Sequence, residues 1–208
     1  VGATGSGKTT ILSLIVRNYD IQKGQIFIDG LDIKKYQIAS LRKHIGQMLQ
    51  DVFLFSGTVE SNITLRSEEI TSDIVKEACR FVNADKVIDK LPNKYNEIVR
   101  ERGKNFSSGE RQLISFARVV SHKPNIMILD EATSSIDTRT EQIVLKGMQN
   151  LMKGRTVFLI AHRLSTIQDA EAIMVLEHGR IIERGTHEQL IDLHGYYYQL
   201  YTGVFELE

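Results

Sequence analysis

Gly2-Ala3-Thr4-Gly5-Ser6-Gly7-Lys8-Thr9 fits the pattern G-x-x-x-x-G-K-[ST], and Ile11, Leu12, Leu14 and Ile15 follow it directly as the apolar positions of a first helix. Glycines let consecutive backbone N–H groups curl around an anionic phosphate, and a helix beginning there points the positive end of its dipole at the same place. Lys8 adds a mobile point charge for β- and γ-phosphates, while the Thr9 hydroxyl is a hard oxygen ligand suited to Mg²⁺. Four specified positions at average residue frequencies give about one accidental match per hundred chains of this size. A loop of this kind normally hangs from the carboxyl end of a buried strand. Only Val1 precedes Gly2, so that strand is expected upstream, and the chain reads as truncated at its N-terminus.

Outward from the loop, short apolar runs rich in β-branched residues alternate with stretches of helical period, the pattern of an α/β sheet. Gln25 to Ile28, Asp29-Gly30, and Leu31 with Ile33 predict a hairpin, because Asp-Gly readily supplies the positive φ angles of a tight turn. Ile173 to Leu176 and Ile181 to Glu183 predict a second one around His178-Gly179. Ile45 to Leu49 is a weaker strand. Ile126-Met127-Ile128-Leu129 and Val157-Phe158-Leu159-Ile160 are continuous apolar runs, as expected of strands buried on both faces, with a helix between them marked by Val144, Gly147, Met148 and Leu151. Between about Asp51 and Phe106 the pattern changes to short helical pieces, suggesting an inserted helical subdomain.

The 208 residues carry 26 Lys+Arg against 26 Asp+Glu, a formal charge of zero that offers no basic field for a nucleic-acid backbone. No apolar run approaches the ~18 residues a membrane helix needs. The single cysteine, Cys79, shares an i, i+3, i+4, i+7 face with Val75, Ala78 and Val82, and reads as a buried free thiol.

In an open parallel sheet, ligands sit outside the carboxyl ends of the strands, which makes polar residues there candidates by position. Gln50 follows the run ending at Leu49, Asp130-Glu131 follow Ile126 to Leu129, and His162 follows the run ending at Ala161. Asp130 after four apolar residues suits a carboxylate of a magnesium shell. Glu131 suits a general base, because hydrolysing a phosphoanhydride requires a positioned water and a proton acceptor. The plain alternative is a pair of acids favouring the dipole of the following helix. Ser107-x-x-Glu110 is a capping box opening a helix whose face is Leu113, Phe116, Ala117 and Val120.

Taken in order, the glycine-rich loop, Gln50, Ser107-Ser108-Gly109-Glu110-Arg111-Gln112, Asp130-Glu131, Ser134-Ser135-Ile136-Asp137 and His162 resemble the ATP-binding cassette ATPase family. Leu54-Phe55-Ser56-Gly57-Thr58, Ala161-His162-Arg163-Leu164-Ser165-Thr166 and Arg184-Gly185-Thr186-His187 are similar to its exporter branch of lipid, peptide and multidrug transporters. The resemblance implies an α/β fold: a P-loop NTPase (RecA-like) parallel-sheet core at 1–50 and 122–208, and a helical subdomain at 51–121. The N-terminal antiparallel β subdomain would be largely missing.

It also implies ATP and Mg²⁺ as ligands. Gly2, Thr4, Gly5, Ser6, Gly7, Lys8, Thr9 and Thr10 would hold the phosphates, and Thr9, Gln50 and Asp130 would serve the metal. Glu131, His162 and Gln50 would be the catalytic set, with His162 sensing the γ-phosphate. Ser107 and Gly109 would contact the γ-phosphate bound to an opposite subunit, and Asp137 would lie at that interface. The implied partners are a second nucleotide-binding domain, identical or different, in head-to-tail arrangement, and a transmembrane domain, with no nucleic acid. The implied place is the cytoplasmic face of the cell membrane. The signature departs from the family's usual L-S-G-G-Q, with Phe106, Ser108 and Glu110 in place of Leu, Gly and Gln. Glu101-Arg102-Gly103 resembles a short loop that in exporters contacts the membrane domain. The family's adenine-stacking aromatic lies upstream of the loop and has no counterpart in these residues. The alternative expectation is therefore a module that binds ATP weakly without turnover.

Overall fold

The computed structural model describes residues 1–48, 52–130, 138–161 and 164–203. In chain order the elements are α1 (Lys8–Ile15), β1 (Phe27–Ile28), β2 (Leu31–Asp32), α2 (Ile38–Lys43), β3 (Ile45–Met48), β4 (Gly57–Thr58), α3 (Val59–Thr64), α4 (Ser72–Phe81), α5 (Asp85–Ile88), β5 (Ile98–Val99), α6 (Ser108–Ser121), β6 (Ile126–Asp130), α7 (Thr138–Met152), β7 (Thr156–Ile160), β8 (Ile173–Glu177), β9 (Arg180–Gly185), α8 (His187–Asp192) and α9 (Tyr196–Tyr201). Packing divides them into two compact units, Val1–Leu41 with Leu159–Glu208, and Arg42–Phe158, so that the boundaries fall inside α2 and β7. No helix among the described residues is long and apolar enough to cross a membrane.

In the first unit both hairpins form where the sequence places them. Asp29 and Gly30 take φ of 50° and 77°, and His178 and Gly179 take 47° and 75°, the paired positive angles that a two-residue hairpin turn demands. The β1–β2 ladder is only two residues a side, and Ile33 leaves it to enter a 3₁₀ turn capped by the Asp32 carboxylate. The core of this unit gathers Ala161, Ile167, Ile173, Val175, Leu190 and Tyr197, with Val1 packed against it. The backbone of Val1 lies along β8: its nitrogen donates to Met174 O at 2.8 Å and its carbonyl accepts from Leu176 N–H at 2.9 Å.

In the second unit β3 and β6 pair in parallel, Ile45 opposite Ile126 and Met48 opposite Leu129, and the order of the described strands is β3-β6-β7. Met127, Ile128 and Leu129 are buried, as expected of a strand covered on both faces. β7 differs, because Val157 and Phe158 are only half-buried. It ends the described row of strands. Val75, Ala78, Cys79 and Val82 are buried as the α4 spacing predicts. Burial pushes the Cys79 thiol up to about 12, with the Asp85 carboxylate adding to the shift.

Helix α6 departs from the amphipathic pattern. Gln112, Leu113, Ile114, Ser115, Phe116, Ala117, Val119 and Ser121 are all buried, whereas Val120 is only half-buried. The helix is wrapped by α3, α4, α7 and β3. Two glycines permit that enclosure. A Cβ on Gly46 of β3 would stand 2.6 Å from a Val119 methyl, and one on Gly147 of α7 would stand 2.5 Å from the Val82 carbonyl and 3.3 Å from the Phe116 ring.

Candidate functional site

Backbone conformation shapes the glycine-rich loop. Gly2, Gly5 and Gly7 have φ of 146°, 81° and 104°, a region L side chains rarely enter. Gly2 is also fixed by space, since a Cβ there would stand 2.2 Å from the Leu176 carbonyl. Ser6 N–H donates to Ala3 O at 3.1 Å, and Ser6 O accepts from Gly179 N–H at 2.9 Å, so the loop is seated on the β8–β9 turn of its own unit. Gly7 stands at the N-cap of α1 in a left-handed conformation with no side-chain cap hydrogen bond.

This arrangement fits a polyphosphate. The first-turn N–H groups of α1 meet no capping side chain, no acidic residue lies in that turn, and the dipole favours an anion there. The Lys8 ammonium arches back over the loop, donating to Gly2 O at 2.7 Å and Ala3 O at 2.9 Å and reaching Ser6 Oγ at 3.5 Å. Thr4, Gly5, Thr9 and Thr10 are exposed and Ser6 is buried. The loop therefore presents backbone donors, one ammonium and the Thr9 hydroxyl, a donor set suited to phosphate oxygens and to a hard divalent cation.

In the second unit, Ser107 is the N-cap of α6, and the capping box forms in both directions. Ser107 Oγ accepts from Glu110 N–H at 3.2 Å and a Glu110 carboxylate oxygen accepts from Ser107 N–H at 2.8 Å. Ser107 is exposed and Gly109 buried. Asp130 closes β6 as a half-buried residue with a polar partner. Gln50, Glu131, Asp137 and His162 lie outside the described residues. Among the described residues, no three His, Cys, Asp or Glu side chains cluster as a metal site.

Sequence reasoning missed one network in this unit. Arg118 of α6 donates through Nε to Asn62 O at 2.7 Å, through one terminal nitrogen to Asn62 Oδ1 at 3.2 Å and through the other to Phe53 O at 3.1 Å. Asn62 in turn clasps the loop ahead of α3, accepting from Phe55 N–H and donating to Phe55 O, both at 2.8 Å. Burial lowers the Arg118 pKa, and its guanidinium sits 5.9 Å from the Phe55 ring centroid. Phe53 and Phe55 meet edge to face at 4.9 Å while remaining about half exposed, at 49% and 54%. Arg118 and Asn62 are 56 residues apart, so no local spacing announces the pair.

A family model described as ABC transporter matches residues 1–134. The chain is 53% identical over 201 residues to the probable multidrug resistance ABC transporter ATP-binding/permease protein YheH of Bacillus subtilis, a match covering 97% of this chain and 30% of that protein. It is 47% identical over 200 residues to the fatty acid ABC transporter ATP-binding/permease protein of Mycobacterium tuberculosis, covering 96% of this chain and 32% of that one. Among solved structures, a bacterial Atm1-family ABC exporter with ATP bound superposes with a TM-score of 0.89 at 39% identity, over 98% of this chain and 36% of that one. The chain spans about a third of the length of the curated relatives it matches.

Proposed function

The chain belongs to the ABC transporter family, and from that premise we propose that it binds and hydrolyses ATP to power a membrane exporter, through nucleotide-driven association with a second nucleotide-binding domain. The observation that carries this reading is the loop at Gly2–Thr9: three glycines at positive φ, an uncapped helix start and a lysine ammonium arched over the curl. The relatives' description as ATP-binding/permease proteins supports a transmembrane partner and a place at the cytoplasmic face of the membrane.

In this reading Gly2, Thr4, Gly5, Ser6, Gly7 and Thr10 line the phosphates with backbone and hydroxyl donors. Lys8 turns from its own loop carbonyls to the β/γ oxygens. Thr9, Gln50 and Asp130 would hold Mg²⁺, which when bound would neutralise charge building on the phosphate oxygens. Glu131 takes the proton of the attacking water as the water oxygen bonds to the γ-phosphorus and the bond to the bridging oxygen breaks, leaving ADP and phosphate. His162 contacts the γ-phosphate oxygens, and Asp137 stands at the interface with the second domain. Ser107 and Gly109 meet the γ-phosphate held by that domain.

Glu131→Gln tests the assignment. Its amide keeps the shape but accepts no proton, so ATP binding persists while hydrolysis falls by roughly 10² to 10⁴. Turnover within a fewfold of the parent would remove Glu131 from the base role.

A further inference from the structure

The start of α6 carries a negative charge where the proposed function places a phosphate. Ser107 N–H is taken by a Glu110 carboxylate oxygen at 2.8 Å, and Glu110 N–H by Ser107 Oγ at 3.2 Å. Two kinds of donor remain to a ligand: the Ser107 hydroxyl hydrogen, because Oγ is used only as an acceptor, and the N–H groups of Ser108 and Gly109, which have no acceptor among the described residues. Glu110 is half-buried, and among the described residues no lysine or arginine stands within ion-pair distance of its carboxylate. The neighbouring Arg111 guanidinium is directed instead to Phe106 O at 2.7 Å.

Resting on the reading that Ser107 meets the γ-phosphate held by a second nucleotide-binding domain, for which a second copy of this chain serves in the test, we propose that Glu110 is a brake on that contact. Its carboxylate holds Ser107 in place through the cap and, by its charge, weakens the hold of α6 on the facing triphosphate. The helix dipole amounts to about half a positive charge at the N-terminus, and a full negative charge within the first turn offsets it. The two effects separate chemically. A glutamine oxygen still accepts from Ser107 N–H, so Glu110→Gln keeps the cap and removes only the charge, whereas Glu110→Ala removes the charge and the carboxylate half of the cap, leaving the N–H of residue 110 on Ser107 Oγ.

The test is self-association of the chain measured by sedimentation with saturating AMP-PNP and Mg²⁺, at 50 and 500 mM NaCl, beside melting curves of each variant. Glu110→Gln is expected to melt with the parent and to associate about two- to fivefold more tightly at low salt, the gain shrinking at high salt as the charge is screened. Glu110→Ala is expected to melt lower. Ser107→Arg, which fills the contact, is expected to block association. Equal or weaker association of Glu110→Gln at both salts, with Ser107→Arg still blocking, would overturn the brake alone. Parent-like association of Ser107→Arg would overturn the facing contact and the brake with it.

Discussion

Helix α1 starts at Gly7, whose φ of 104° brings no side-chain cap, whereas α6 starts at Ser107, whose hydroxyl and Glu110 carboxylate close on each other's N–H groups. Both starts face phosphate in the proposed reading, yet they are built to different ends. The first has no side-chain cap and relies on glycine to hold an open curl. Nothing in its first turn is acidic. The second closes its Glu110 N–H on its own cap before any ligand arrives. An open start gives standing affinity for an anion, while a self-capped start contributes only when a second body delivers the phosphate to it. In the proposed reading, affinity and association thereby fall to different units of the chain.

The contrast is broken most severely at Gly7. Alanine there must hold a φ of 104°, a strain of about 1–3 kcal/mol, and its Cβ would meet Gly179 Cα at 3.4 Å. Melting of Gly7→Ala is therefore expected roughly 2–12 °C below the parent, with weaker ATP binding. An unchanged melting temperature would mean that the loop does not hold its open curl.

That curl was legible from residue types alone, because glycine at fixed spacing reports backbone conformation directly, and Asp29-Gly30 and His178-Gly179 announced their turns for the same reason. The capping box was equally plain, its partners being three residues apart. Side chains whose partners are distant were not legible. Arg118 looks like an exposed polar position on an amphipathic helix, and only the fold brings Asn62 and the Phe53 carbonyl to it. Glu183 likewise reads as a surface acid of a hairpin, yet its carboxylate caps α9 through the N–H groups of Tyr196 and Tyr197. The all-round burial of α6 escaped periodicity because Gln112, Ser115 and Ser121 are polar residues placed inside.

A smaller change sharpens the other side of the comparison. Ser107→Ala deletes the N-cap acceptor of α6, a loss of typically ~1 kcal/mol, or about 2–4 °C in melting temperature for a chain of this size. ATP affinity of the isolated chain is expected to stay with the parent, because the loop that binds it belongs to the other unit. A fall in affinity as large as that of Gly7→Ala would erase the division of labour.

Calorimetric titration of Mg-ATP into the parent and Lys8→Ala tests the central claim, that the chain holds a triphosphate at Gly2–Thr9, most directly. Lys8 already bridges Gly2 and Ala3 with its ammonium, and a charge-assisted contact of this kind is worth about 1.5–3 kcal/mol. Saturable binding by the parent and a loss of roughly tenfold or more in the variant are expected. Equal affinities, or no saturable binding by the parent, would contradict it.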